Sequence, residues 1–169
     1  MTSGTVDPAE YRRVVGRFTT GVTVVTTALG GEQHAMTCNS FTSVSLEPVL
    51  VLFCAEKVAR FHDAVLSSGT WAVSVLSEEQ EELSRRFALR GRDLDDQFAG
   101  VPQTAGPRTG AAVVDGALAA LECRTVSTLD AGDHTVLVGE VLGVSVPDAE
   151  AAPLLYYEGR YRGLRPDGP

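Results

Sequence analysis

The sequence predicts a mainly β domain with flanking helices, and three observations carry that expectation. Runs of β-branched and apolar residues recur along the chain, at 22–27, 49–54, 71–76, 111–114, 116–129, 135–146 and 154–157. Turn-forming residues stand between them, as at Gly30-Gly31, Pro48, Gly69 and Asp130-Ala131-Gly132-Asp133. Helical apolar spacing is confined to stretches behind Asp7, before Gly69 and after Ser77. About eight strands joined mostly by hairpins favour a closed antiparallel barrel over a parallel sheet.

Each element has a local reason. Asp7 is a good N-cap, Pro8 suits the first helical position, and Glu10 completes a capping-box pattern. Tyr11, Val14, Val15 and Phe18 then share one face of a helix that ends near Thr19-Thr20-Gly21. The β-branched run at 22–27 is a strand. Gly30-Gly31 turns a hairpin whose second strand starts at about Gln33 and runs into 36–48. The continuously apolar stretch 49–54 predicts a strand covered on both faces. A short polar loop with Lys57 and Arg60 leads to a helix with Phe61, Val65 and Leu66 inward, stopped by Gly69. Another strand covers 71–76, and Ser77 caps a charged helix over 78–88 with Leu83 and Phe87 on one side. The acidic run at 78–82 reads as a solvated face. Residues 89–109 are rich in Gly, Pro, Asp and Arg, with Phe98 and Val101 as isolated apolar points. That is long for a structureless connection, so the segment is a functional loop or partly helical. Strands at 111–114, 116–129 and 135–146 follow, the last two joined by the hairpin loop 130–133, and 154–157 is a final short strand. The termini are expected to fray, leaving one domain over 1–169 with its core at about 8–162.

Composition narrows the function classes. At 169 residues, 44% hydrophobic and 21% charged, the chain suits one soluble globular domain. A net charge of −8 argues against nucleic acid and anionic membrane as partners, although a local basic pair can still hold a phosphorylated ligand. No apolar run spans a bilayer, and residues 1–7 lack the pattern of a secretion signal, so a cytoplasmic location is expected. Cys38, Cys54 and Cys123 are far apart and read as packing residues rather than metal ligands or a disulfide framework. There is no GxGxxG, no phosphate-binding GxxxxGK[ST] and no GxSxG.

The stretch 36–48, MTCNSFTSVSLEP, is unlike an ordinary strand and turn. Hydroxyl and amide side chains crowd between apolar strands. Such groups beside free backbone N–H groups can hold an anion without a dedicated charge. They also cap turns in plain polar loops. The residues alone leave both readings open.

A larger pattern bears on that choice. In order along the chain stand GRFTTGVTVVTT from Gly16, the 36–48 stretch, Lys57-Val58-Ala59-Arg60, Arg85-Arg86-Phe87-Ala88, Phe98-Ala99-Gly100, Ala131-Gly132-Asp133-His134 and Pro153-Leu154-Leu155-Tyr156-Tyr157. Together these resemble the short-chain NAD(P)H:flavin reductases of the split-barrel FMN-binding type, the reductase components of two-component flavin-dependent monooxygenases. The resemblance runs from about Tyr11 to Tyr161. It implies a homodimeric split β-barrel that reduces free flavin with a nicotinamide nucleotide and releases the product to a partner monooxygenase. FAD is expected over FMN, and NADH over NADPH. Thr37, Cys38, Asn39, Ser40, Phe41, Ser43 and Val44 are then expected along the flavin, with Ser40 and Ser43 at its phosphate, and with Cys54 on the neighbouring strand. Lys57, Val58, Ala59 and Arg60 would cover the other side, their cations facing phosphate, and Arg86 and Phe87 would reach the same end. His134 resembles the family's histidine beside the nicotinamide, and Tyr157, Arg160 and Tyr161 the segment that holds the pyridine nucleotide. Asp133 is expected to cap its turn, and His34 and His62 carry no functional expectation. Many relatives have Pro-Pro where this chain has Pro48-Val49, with no functional consequence expected. Hydride transfer needs aligned cofactors more than acid–base groups, which accounts for the missing triad. The alternative is a flavin-binding electron carrier or sensor of the same barrel that does not turn over; a haem-handling relative is more remote.

Overall fold

Twelve strands and three helices make up the fold of a computed structural model that describes residues 6–92, 97–147 and 151–164. In order these are α1 (Pro8–Val15), β1 (Thr20–Gly21), β2 (Thr23–Leu29), β3 (Glu32–Cys38), β4 (Thr42–Leu46), β5 (Val49–Glu56), α2 (Arg60–Ser68), β6 (Thr70–Val75), a 3-10 turn (Glu78–Gln80), α3 (Glu81–Ala88), β7 (Gln103–Ala105), β8 (Ala112–Val114), β9 (Ala119–Ala131), β10 (His134–Ser145), β11 (Leu155–Tyr157) and β12 (Arg160–Arg162). The fraying expected of the termini falls largely on 1–5 and 165–169, outside the described residues.

Seven strands form one antiparallel sheet in the order β3-β2-β6-β9-β10-β5-β4. The sheet does not close through hydrogen bonds, so the closed barrel expected from strand count alone is split. Its two edges, β3 and β4, are consecutive in the chain and joined by residues 39–41. The register pairs Thr42 with Leu52, so a continued β4 would bring Ser40 opposite Cys54. There the Ser40 hydroxyl accepts the Cys54 N–H at 2.9 Å instead, and the ladder ends. β1, β11 and β12 form a separate small sheet, and β7 pairs with β8.

The barrel interior is filled by Val25, Val51, Phe53, Trp71, Val73 and Leu137, with Phe61 and Val65 of α2 packed against them. Phe53 and Trp71 meet edge to face at 4.8 Å. Gly139 is required beside them, because a Cβ there would lie 2.3 Å from the Trp71 ring. A second core lies where Val22, Val24, Ala35 and Leu76 meet Phe87 of α3, Val114 and Leu154. Phe98 and Val101 pack on this second core, and 103–105 is strand β7. The stretch 89–109 is therefore anchored at several points.

Four local expectations change. Tyr11, Val14 and Val15 of α1, and Phe18 just beyond it, are all exposed, because among the described residues no other element covers that apolar side. Leu66 points out of α2, and Ala64 takes the inward position with Phe61 and Val65. The 78–88 helix is broken into the 3-10 turn and α3, with a capping box formed by Ser77 and Gln80. On β5, Val51, Phe53 and Ala55 are buried while Leu50, Leu52 and Cys54 are only half-buried. The strand is apolar on both faces, yet one chain covers only one of them. Among the described residues no helix is long and apolar enough to cross a membrane.

Candidate functional site

A cavity of about 610 Å³ opens where β3 and the 39–40 turn, the end of β5, the start of α2 and the segment after α3 come together. Its wall contains Thr37, Cys38, Asn39, Ser40, Cys54, Val58, Ala59, Arg60, Phe87 and His134, all expected site residues. These come from five separate stretches of sequence. Strand alternation explains part of the convergence. On β5 the residues facing the barrel core are Phe53 and Ala55, so Cys54 and Glu56 face the cavity.

The hydroxyl wall is held by its own bonds. Thr37 donates to the Ser84 carbonyl at 2.6 Å, and Ser40 contacts the Cys38 thiol at 3.0 Å. Burial pushes the Cys38 thiol up, against the opposing effect of its Ser40 hydrogen bond. Elsewhere, burial and then the neighbouring Glu122 charge push Cys123 up to about 12.

Cations also line the cavity: Arg60, Arg90 and Arg92. Arg92 donates to the carbonyls of Phe87 and Leu89 at 3.0 Å each and to that of Ala35, while Arg60 donates to the Arg92 carbonyl. Burial, and then the charges of Arg60 and Arg86, lower the Arg92 pKa. Arg90 is paired with Glu56 across the cavity at 2.5 Å. Two buried polar atoms on this lining lack a hydrogen-bond partner among the described residues, Nδ1 of His34 and Nε of Arg92.

At the cavity's edge the β9–β10 hairpin presents His134. Its Nδ1 lies 2.7 Å from Asp133 Oδ1, and that hydrogen bond, with the imidazole's charge, holds the Asp133 carboxyl below its usual range. Asp133 was expected to cap its turn; its carboxylate is instead engaged with the ring.

The remaining expected site residues lie off the cavity wall. Phe41 packs against the barrel interior, while Ser43 and Val44 are exposed at a bulge on edge strand β4. Lys57 bonds Asp130 and Gly132. Arg86 donates to the Ala99 carbonyl at 2.8 Å. Tyr161 shares a hydrogen bond of 2.8 Å with Ser84 and lies under Arg85 at 4.7 Å. Tyr157 accepts from Arg17 at 3.4 Å, and Arg160 is exposed at the start of β12. The tail therefore reaches the site indirectly, since Tyr161 holds the same Ser84 whose carbonyl takes Thr37.

Residues that the sequence reading passed over also line the cavity: His34, Met36, Glu56, Phe61, Leu89, Arg90 and Arg92 among them. A signal for the arginines was present. Arg90-Gly91-Arg92 is a local basic pair in a chain of net charge −8. His34 offered none, because its neighbours on β3 alternate without distinction.

Residues 15–165 match the family model described as flavin reductase like domain. The reductase subunit HsaB of a flavin-dependent monooxygenase from Mycobacterium tuberculosis is 41% identical over 166 residues, covering 98% of this chain and 87% of that protein. Streptomyces globisporus NADH:FAD oxidoreductase SgcE6, solved in complex with NAD and FAD fragments, superposes with a TM-score of 0.89 at 42% identity, over 99% of this chain and 100% of that one. BorF, the flavin reductase component of a bacterial two-component tryptophan halogenase, gives 0.88 at 43% identity, over 94% and 98%.

Proposed function

The chain belongs to the family of flavin reductase like domains, and from that membership we propose that it oxidises NADH and reduces free FAD or FMN for a flavin-dependent monooxygenase. The observation that carries the reading is the convergence on one cavity of the 37–40 segment, residues 58–60 and His134. The donor set fits a phosphorylated aromatic substrate. Asn39 and Ser40 supply neutral polar groups, Arg60 and Arg92 supply charge, and Phe87 adds an aromatic edge to the same lining. The unpartnered Nε of Arg92 and Nδ1 of His34 are polar atoms whose desolvation a ligand would offset.

The flavin supplies hydride acceptance at N5, and the protein's task is alignment, charge and exclusion of water. Arg60 and Arg92 bind phosphate, Thr37 and Ser40 order the wall beside the ring system, and His134 faces the nicotinamide or the charge that arrives with the hydride. Tyr161 supports the nicotinamide side through the Ser84 link to Thr37, with Tyr157 and Arg160 on the same β11–β12 hairpin.

The active unit is a homodimer. By register, Cys54 and Leu52 on β5 stand beside Val136 and Val138 on β10, and Leu129 lies next to Val136 on β9. This apolar sheet face is half-buried or exposed and continuous with the cavity through Cys54. A second copy covers it and completes the substrate site.

The test is a turnover assay. Purified protein with NADH and catalytic FAD or FMN should consume NADH well above the rate in buffer. NADH consumption at the buffer rate with both flavins, alongside flavin binding, would favour the non-turnover carrier instead.

A further inference from the structure

The loop after β5 and the tip of the β9–β10 hairpin are locked together by one residue. The Lys57 ammonium donates to both carboxylate oxygens of Asp130 at 2.9 Å and to the Gly132 carbonyl at 2.7 Å. The Lys57 backbone N–H donates to the Asp133 carbonyl at 2.9 Å. An ammonium has three N–H donors, and here three acceptors take them. That leaves Lys57 no donor for a phosphate. The lock holds two parts of the cavity wall at once, since Val58, Ala59 and Arg60 follow Lys57, and His134 follows the tip.

The imidazole has one nitrogen on Asp133 and the other, Nε2, left for the cavity. From these contacts we propose that Lys57 and Asp133 are positioning residues for His134: Lys57 fixes the hairpin tip, and Asp133 holds the ring with Nδ1 protonated and Nε2 presented to the substrates. The catalytic part of this proposal rests on the reductase reading above.

The charged surroundings support that division of labour. On β5 the register partner of His134 is Glu56, whose carboxylate is paired with Arg90. On β9 the nearest acid is Asp130, engaged by Lys57. Arg60, at the start of α2, also lines the cavity. The carboxylate bonded to the ring is Asp133, through Nδ1. During turnover a C–H bond breaks at the nicotinamide and an N–H bond forms at flavin N5. Two electrons pass to the flavin side, and Nε2 is presented to the charge that results.

Histidine-ring NMR on the protein without substrates reads the arrangement directly, and steady-state kinetics read its use. In the unmodified protein the neutral His134 ring should carry its proton on Nδ1. Asp133→Asn should remove the Nδ1 tautomer preference and shift the His134 ring-nitrogen resonances. In the same variant kcat should fall while KM for flavin stays within about twofold. Adding Asp133→Asn to His134→Ala should cost nothing further. Lys57→Met should shift the His134 resonances and lower kcat, and Lys57→Arg should restore both. An unchanged tautomer in Asp133→Asn would overturn the Asp133 role. Lys57→Met with unchanged His134 resonances, and with KM raised for FAD and FMN but not for riboflavin, would make Lys57 a phosphate ligand and overturn the lock. Absence of NADH oxidation by the unmodified protein would remove the reductase reading, whereas the NMR results would still decide the positioning.

Discussion

Strand β5 shows two different solutions to burying a side chain. Toward the barrel, Val51, Phe53 and Ala55 are almost completely buried against Trp71, Leu137 and α2. Toward the other side, Leu50, Leu52 and Cys54 are half-buried, and Cys54 and Glu56 enter the cavity. The side chains alternate by one residue, yet one set has its packing partners within the chain and the other lacks them. The first face sets stability; the second is the one we propose for a second copy and for substrates.

The largest effect should come from the packed face. Phe53→Ala removes an aromatic side chain from the barrel centre and should cost about 3–5 kcal/mol in denaturant unfolding. A loss below about 1 kcal/mol would mean that the two faces are not as different as their burial implies. On the uncovered face, Leu52→Asp should convert the proposed dimer to monomer in sedimentation without abolishing the unfolding transition, because a charge on that half-buried face leaves the barrel core intact. Retention of the dimer would move the interface elsewhere.

Within the cavity, effects should be selective rather than global. Arg60→Gln should weaken FAD and FMN binding by about 1.5–3 kcal/mol, the range for a hydrogen bond to a charged group, while riboflavin is spared. An equal loss for all three flavins would assign Arg60 to architecture. Smaller still is the acid response of the Asp133–His134 pair. The Asp133 carboxyl is held below its ordinary value, so the pair contributes stability above the unfolded pKa of about 3.9. That contribution is lost as pH falls through the folded value. Asp133→Asn should therefore unfold like the parent below the folded value and slightly more easily near pH 5. Parallel curves for the two proteins over that interval would show that the pair adds nothing to folding.

The smallest effect concerns thiols. Cys38 and Cys123 are buried with raised pKa values, Cys123 near 12, so neither should react with a thiol reagent in the folded protein. Cys54 is only half-buried on the cavity wall and should react slowly, with protection by flavin. Labelling of Cys54 that flavin leaves unchanged would separate the thiol from the substrate site.

Much of this was legible beforehand because the signals are local. Alternation and β-branching located β2, β5, β6, β9 and β10 within a few residues, and Gly30-Gly31 and Gly69 sit at their turns with positive φ. Thr37, Ser40, Arg60 and His134 were legible through family motifs, and they meet at one cavity. Arg92 was missed because its role depends on reaching the Ala35 carbonyl, far away in sequence. Lys57 was expected at phosphate because a lysine in a loop looks the same whether or not an aspartate waits beside it. The helix face of Tyr11, Val14 and Phe18 was legible as a stripe, but a stripe does not say what covers it.

The sequence by itself determined the β-rich class, the turn positions and the family, since backbone propensity and periodicity act over a few residues and motifs carry their order. Tertiary structure alone decided which strand ends meet, that the barrel is split at Ser40, that Lys57 locks a hairpin, and that one face of β5 stays open. Those outcomes depend on contacts between residues distant in the chain, such as Lys57 with Asp130. Local sequence carries no record of a partner that only folding brings into reach.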